Sequence, residues 1–125
     1  MREMRLRIWD MDRKLMLDGQ CVIFYGGDYY EEHFDFEVGA ALNNIVVMQS
    51  TGLVDKHGNQ IFEGDIVKNV RTGISRKVYW DAHCASFHLS KRGKKESNVD
   101  YWSLSNPQWN YEVIGNIYQN KELLA

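Results

Sequence analysis

The chain has 125 residues, of which 44% are hydrophobic and 13% aromatic, so it is of single-domain length and rich enough in core formers to exclude extensive disorder. Its formal net charge of −2 excludes a uniformly basic protein. No stretch approaches the ~20 apolar residues of a membrane span, and the charged first residues lack the apolar run of a signal peptide. We therefore expect a cytoplasmic protein without membrane contact, whose cysteines, Cys21 and Cys84, are reduced thiols.

The charge is divided unevenly along the chain. Residues 17–65 contain nine acidic residues and one basic residue, a net charge of −8, whereas residues 66–95 contain eight basic residues and one acidic residue, a net charge of +7. Two interpretations stay open. The stretches are either two solvated faces of one fold, or an acidic and a basic patch that could meet between copies or face a polyanion.

Short apolar runs separated by turn residues predict β-strands in the first half of the chain. The predicted strands cover residues 4–9, 14–17, 20–25 and 45–49. The first two form a hairpin around a turn at 10–13, and the continuous apolar run of the last is typical of a strand buried on both faces. Residues 29–42 mix aromatic and acidic side chains, and they fit either a short helix or an irregular acidic loop.

Tight turns join the strands predicted in the second half, which cover residues 61–62, 66–70, 74–80, 85–90 and 111–118. Gly115 inside the last strand predicts a β-bulge or a close backbone approach. Asn120 is placed to cap a final helical turn at Lys121–Leu124. A small closed or nearly closed barrel removes exposed strand edges with few residues. We therefore predict an all-β chain with short helical segments, made of an N-terminal β extension (1–50) and a barrel core (51–125).

Three blocks of sequence carry a resemblance to a family. They are residues 1–10 (MREMRLRIWD), 48–67 (MQSTGLVDKHGNQIFEGDIV) and 111–124 (YEVIGNIYQNKELL). In this order they resemble the YopX-like proteins of phages and prophages. The resemblance implies a single YopX-like domain over 1–125, an SH3-like form of the barrel, and residence in a bacterial host. It implies no activity and no catalytic residues, because the family has no assigned function.

Outside the resemblance, the same blocks have a physical interpretation. Thr51-Gly52-Leu53, Gly58 and Gly64-Asp65 are expected to fix turns between strands. Residues 28–37 and 83–105 match the family pattern poorly, so features peculiar to this member are expected there.

No constellation of catalytic or metal-binding residues is predicted. His83, Cys84 and His88 are the nearest approach to a zinc site, but neighbours on a strand point to opposite faces, and no second cysteine pair is present. A reactive cysteine needs a nearby positive charge or helix N-terminus that the sequence does not reveal. The acidic run is typical of a solvated face, and Gly26-Gly27 lacks the spacing of a phosphate-binding loop. We predict no cofactor, no metal and no enzymatic activity.

The best candidate for a charge-driven site is a basic turn flanked by aromatic residues. Small β-barrels can bind single strands with a basic groove and stacking aromatics. The candidate residues are Lys91, Arg92, Lys94, Lys95, Trp80 and Trp102, with Phe87 and Tyr101 near them in sequence. Against this hypothesis, hairpin tips commonly carry lysines for solubility, and the aromatics could be core residues.

The leading hypothesis is a phage or prophage accessory protein that acts as a non-enzymatic interaction module. Its partner is expected to be a second copy of the chain, giving a homo-oligomer, or another host or phage protein. Nucleic-acid binding through the basic turn is the alternative.

Overall fold

A computed structural model describes residues 5–31, 41–82, 85–90, 102–103 and 111–124. Its strands are β1 (Leu6–Asp10), β2 (Leu15–Asp18), β3 (Val22–Tyr25), β4 (Asp28–Glu31), β5 (Ile45–Val54), β6 (Gln60–Phe62), β7 (Asp65–Asn69), β8 (Ser75–Asp81), β9 (Ser86–Leu89), β10 (Trp102–Ser103) and β11 (Tyr111–Asn116). In these ranges, helical structure is confined to two 3-10 turns, Gly19–Cys21 and Lys121–Leu124. The prediction of an all-β fold with short helical segments is confirmed, whereas the SH3-like form of the barrel stays a prediction. No helix in the described ranges has the length and apolar character that crossing a membrane requires.

Contacts between residues divide the chain into two compact units. The N-terminal unit is Arg5–Gln49, and the C-terminal unit contains Ser50–Ala125. Strand β5 is shared along its length, with residues 45–49 in the first unit and residues 50–54 in the second. Each unit is therefore described by itself.

In the N-terminal unit, β1 lies between β2 and the first half of β5 and pairs antiparallel with both. The predicted hairpin is confirmed, with Ile8 opposite Leu17. Among the residues that the structure describes in this unit, the buried hydrophobic side chains are those of Ile8, Trp9, Leu17 and Met48. The expectation that residues 45–49 are buried on both faces is wrong, because Met48 alone among them is buried.

The β1–β2 turn is held by Asp10, which is buried. Its Oδ1 accepts from the backbone N–H groups of Asp12 and Arg13, and its Oδ2 accepts from Arg13 Nε at 2.7 Å. Arg13 Nη2 also donates to Glu31 Oε2 at 2.7 Å, so one guanidinium joins this turn to β4. The Arg13 side chain, which donates to the carboxylate, holds the pKa of Asp10 below its ordinary value.

Strands β3 and β4 form a separate two-stranded hairpin whose turn is Gly26-Gly27. Both glycines have positive φ, 61° and 89°, as a type I′ turn requires. Residues 29–31 therefore belong to a strand, and both interpretations offered for them, a helix and an irregular loop, are wrong. Residues 32–40 of that segment lie outside the described residues.

In the C-terminal unit, β7–β11 form a five-stranded sheet in the order β10-β9-β8-β7-β11, and every neighbouring pair is antiparallel. One face carries the core, because Val78 lies opposite Leu89 and Val67 lies opposite Val113. The buried cluster contains Leu53, Ile61, Val67, Val78, Leu89 and Tyr111, with Phe87 and Val113 packed against it.

The last strand contains the predicted irregularity. The register of β11 against β7 shifts between Val113 and Gly115, so the predicted bulge is confirmed. The close approach at Gly115 is also present, because a Cβ there would lie 2.5 Å from Asn120 Oδ1. The predicted final turn forms at Lys121–Leu124. The prediction that Asn120 caps it is wrong, because the Asn120 side chain accepts from the preceding backbone N–H of Asn116 at 3.2 Å.

Candidate functional site

Asp55 is a buried carboxylate that organises the backbone. Oδ1 accepts from the N–H groups of His57 and Asn59, both at 2.9 Å, and Oδ2 accepts from the N–H of Val113 at 2.9 Å. Lys56 N–H donates to the Tyr111 carbonyl at 3.0 Å. One turn thus provides hydrogen-bond partners for the outer edge of β11, an edge that an open sheet would leave exposed.

The electrostatics of Asp55 follow from the same contacts. Burial by itself raises the pKa of this carboxyl, but the N–H groups of Val113, Asn59 and His57 donate to the charged form and outweigh burial. The pKa of Asp55 is therefore held below its ordinary value, and the group is an ionised acceptor at neutral pH.

Asp65 and Asn116, two other buried polar residues, also accept hydrogen bonds from backbone N–H groups. Asp65 Oδ2 accepts from the Phe62 N–H at 2.7 Å, and Asn116 Oδ1 accepts from the N–H groups of Tyr118 and Gln119 at 3.0 and 2.9 Å. Gly64 adopts a φ of 87° in the turn before Asp65. The expected turns at Gly58 and Gly64-Asp65 are confirmed, whereas the turn expected at Thr51-Gly52-Leu53 is wrong, because these residues lie within β5.

The residues considered for metal binding are only partly described. His83 and Cys84 lie outside the described residues. His88 is buried, with Nε2 2.8 Å from Ser86 Oγ and its ring centroid 6.1 Å from that of Tyr79. Cys21 is an exposed free thiol. Among the side chains that the structure describes, no three His, Cys, Asp or Glu residues are grouped as metal ligands would be.

The structure locates two of the six predicted nucleic-acid-binding residues. Lys91, Arg92, Lys94 and Lys95 lie outside the described ranges. The backbone of Trp102 pairs opposite Leu89 in β10. Trp80 lies at the far end of β8, 45% exposed, with its ring edge-on to Phe87 at a centroid distance of 4.9 Å.

Trp80 is displaced along its strand from the point at which the basic segment begins. Ser90, which precedes that segment, donates its N–H to the Lys77 carbonyl at 2.8 Å. Lys77 and Trp80 are three residues apart on β8, which corresponds to about 10 Å along the strand. The structure therefore places Trp80 beside Phe87, away from the start of the basic segment. The residues that lie beside that start are cations, Arg76 and Lys77.

These cations belong to the β7–β8 hairpin and were missed as candidate site residues. Arg76 and Lys77 lie beside Ser90, and the same hairpin carries two further cations, Lys68 on β7 and Arg71 in the turn. The turn between the strands is fixed by Asn69, whose Oδ1 accepts from the N–H groups of Arg71 and Thr72 at 2.9 and 3.1 Å. Arg76 Nη1 donates to the Ser90 carbonyl at 3.2 Å, so the guanidinium reaches the strand end from which residue 91 continues. The +7 charge of residues 66–95 was the signal for this cluster.

A second missed surface is the β3–β4 hairpin of the N-terminal unit. Phe24 and Tyr25 are 62% and 76% exposed, and the Phe24 ring lies 4.8 Å from that of Tyr29. The chain contains no lysine or arginine between Lys14 and Lys56. The hairpin is thus an aromatic surface in an acidic part of the sequence. In the sequence, this surface is indicated by two adjacent aromatic residues, Phe24 and Tyr25, directly before the Gly26-Gly27 turn.

Comparisons with known proteins agree on one family and one fold. The family model described as YopX protein matches residues 6–125. The structure is similar to protein yopX from Bacillus subtilis (TM-score 0.66, 20% identity) and to protein EF1440 from Enterococcus faecalis (TM-score 0.61, 24% identity), and each alignment covers 100% of both chains. At these identities the similarity shows that the fold is shared. No curated protein matches the chain.

Proposed function

This chain belongs to the YopX family, and on that premise we propose that it is a phage or prophage accessory protein of the bacterial cytoplasm. It acts without catalysis, as an interaction module that binds copies of itself through surfaces of opposite charge.

The division of charge between the two units carries this proposal. Residues 5–49 contain eight acidic and four basic side chains, a net charge of −4, whereas residues 50–125 contain eight acidic and ten basic side chains, a net charge of +2. Asp55 and Asp65, two acids of the second group, are buried and accept backbone hydrogen bonds. These two carboxylates are therefore engaged inside the fold and add no negative charge to the surface of the C-terminal unit.

Two cations of the β7–β8 hairpin, Lys68 and Arg71, are available for a partner. Lys68 lies opposite Glu112 in the sheet, but that carboxylate lies 3.3 Å from His57 Nε2. Within the part of the chain that the structure describes, neither the Lys68 ammonium nor the Arg71 guanidinium forms an ion pair. An acidic surface and a basic surface on each copy allow a heterologous contact, which generates rings or open chains of copies.

A non-enzymatic role is supported by what the buried polar side chains do. Asp55 and Asn116 direct their oxygen atoms to backbone N–H groups that would otherwise lack partners. A carboxylate with a lowered pKa and several N–H donors is a poor proton acceptor.

Light scattering coupled to size exclusion tests the proposal. At low salt we expect a molar mass that is a multiple of the monomer and rises with concentration. High salt should shift the mass toward monomer, because the screening length falls from roughly 30 Å at 0.01 M to roughly 3 Å at 1 M ionic strength. A monomer at high concentration and low salt would refute self-association.

Binding of single-stranded nucleic acid is a second candidate, favoured by Arg76 and Lys77 beside the start of the basic segment and by Lys68 and Arg71 on the same hairpin. Fluorescence polarisation with labelled oligonucleotides tests it, and the affinity should fall steeply as salt rises. Absence of binding at low salt to both DNA and RNA would eliminate this candidate.

A further inference from the structure

The turn of the β3–β4 hairpin has the surface properties of a contact site. Phe24 and Tyr25 lie next to each other at the end of β3 and leave 62% and 76% of their surface exposed. Adjacent aromatic side chains in solvent gain free energy when a partner covers them, and aromatics are enriched at protein interfaces. Among the described side chains of the hairpin, the ring contact made by these two residues is that of Phe24 with Tyr29, whose planes are tilted by 41°.

The charge beside the rings selects a cationic partner. Asp28 is exposed and lies directly opposite Tyr25 across the Gly26-Gly27 turn. The Glu31 carboxylate, at the other end of β4, binds Arg13. A guanidinium placed over an aromatic ring gains a cation–π interaction, and a carboxylate beside that ring adds a charge-assisted hydrogen bond. Rings and carboxylate together fit an arginine.

The β7–β8 turn of the C-terminal unit has the apolar and cationic side chains that such a surface would bind. Val70, at the β7–β8 turn, is 40% exposed, and Arg71 follows it in the exposed part of that turn. The Asn69 side chain holds the backbone of this turn, so the tip is ordered before any partner binds. Such preorganisation lowers the entropy that association costs.

We infer that the β3–β4 tip of one copy binds the β7–β8 tip of a second copy, with Arg71 over the Phe24–Tyr25 aromatic surface and beside Asp28. Val70 packs against the same rings. The inference rests on the proposed self-association and identifies its contact. Each copy carries both tips, so the contact is heterologous.

Two variants, alone and mixed, test this contact. The first is Phe24→Ser combined with Tyr25→Ser, and the second is Arg71→Glu. Lys121→Glu is the matched control, since it makes the same charge change at an exposed cation of the C-terminal 3-10 turn. Thermal melts show whether each variant folds. Sedimentation velocity should show that wild type and control assemble, whereas each test variant associates about tenfold or more weakly, as expected for an interface hot spot.

The mixture shows whether the weaker association of each variant results from the loss of a heterologous contact between the two tips. The aromatic variant retains the Arg71 tip, and the Arg71→Glu variant retains the aromatic tip, so an equimolar mixture of them should form a dimer and nothing larger. A mixture that stays monomeric would contradict the pairing of these two tips. If wild type assembles and both variants assemble equally well, this inference fails while self-association stands. If wild type itself is monomeric, the proposed function fails.

Discussion

The turn organised by Asp55 in the C-terminal unit and the β3–β4 tip of the N-terminal unit use polar and aromatic residues in opposite ways. In the C-terminal unit, Asp55 and Asn116 are buried and hold backbone N–H groups, and Tyr111 is part of the core. In the N-terminal unit, Phe24 and Tyr25 lie in solvent at a hairpin tip. Buried polar residues thus stabilise the fold, whereas aromatic side chains of the type that usually forms a core make up the candidate contact surface.

The largest expected effect on stability is that of Asp55→Ala. The substitution leaves the backbone N–H groups of His57, Asn59 and Val113 without their acceptor, which we expect to lower the free energy of unfolding by about 3 kcal/mol or more. Chemical denaturation measures this loss. Asp28→Ala, which removes an exposed carboxylate from the other unit, should change stability by less than about 0.5 kcal/mol. Equal losses of unfolding free energy in the two variants would contradict the stabilising role assigned to Asp55.

A steric prediction concerns the N-terminal unit. A Cβ at Gly19 would collide with the backbone carbonyl of Leu6, so we expect Gly19→Ala to cost about 1–3 kcal/mol. Gly115→Ala is the matched variant of the C-terminal unit, where the added Cβ would meet the Asn120 side chain. At Gly115 the nearest atom, Asn120 Oδ1, can rotate away, although Asn120 Cβ at 2.8 Å moves only with its backbone. At Gly19 the nearest atoms are all backbone and the overlap is greater, so Gly115→Ala should cost less. Thermal melts of both variants decide the order, and a larger loss at Gly115 would contradict it.

Acid should weaken the C-terminal unit through Asp55. Because the pKa of Asp55 is lower in the folded than in the unfolded chain, its ionisation stabilises the fold above the unfolded value of about 3.9. That contribution is lost as the pH falls through the folded pKa. Denaturation between neutral and acidic pH should show a weaker pH dependence for Asp55→Asn than for wild type. Identical profiles would mean that this carboxylate does not govern acid stability.

The smallest expected effect is that of removing the exposed aromatics. Under conditions that keep the protein monomeric, Phe24→Ser and Tyr25→Ser should each change the free energy of unfolding by less than about 0.5 kcal/mol. Ile61→Ala, at a fully buried core position, should cost about 2–5 kcal/mol. Loss of stability in the aromatic variants comparable to that of Ile61→Ala would show that the rings belong to a core.

Much of the fold follows from local patterns. Alternation and turn residues predict β1 and β2 as a hairpin, and a glycine inside an apolar strand predicts the bulge at Gly115. Strand β4 escaped prediction because residues 28–31 have no period-2 alternation of apolar and polar side chains. The half-burial of residues 45–47 escaped because an apolar run does not reveal how many faces are covered.

The candidate sites were harder to predict because they depend on contacts between distant residues. Asp55 meets Val113 across 58 positions, and no local pattern indicates that contact. The sequence shows that the cations of residues 66–95 are concentrated along the chain, but it does not show that Trp80 is separated along β8 from the start of the basic segment. Exposure of Phe24 and Tyr25 is a property of the fold, since apolar strand residues are buried by default.

Hydrogen exchange at two protein concentrations tests the central claim most directly. If the two hairpin tips form the contact between copies, amides of residues 22–31 and 69–74 should exchange more slowly in concentrated than in dilute protein. Amides of residues 53–67, which include the turn organised by Asp55, should exchange at the same rate in both. Concentration-dependent protection of residues 53–67, with none at the two tips, would contradict the account.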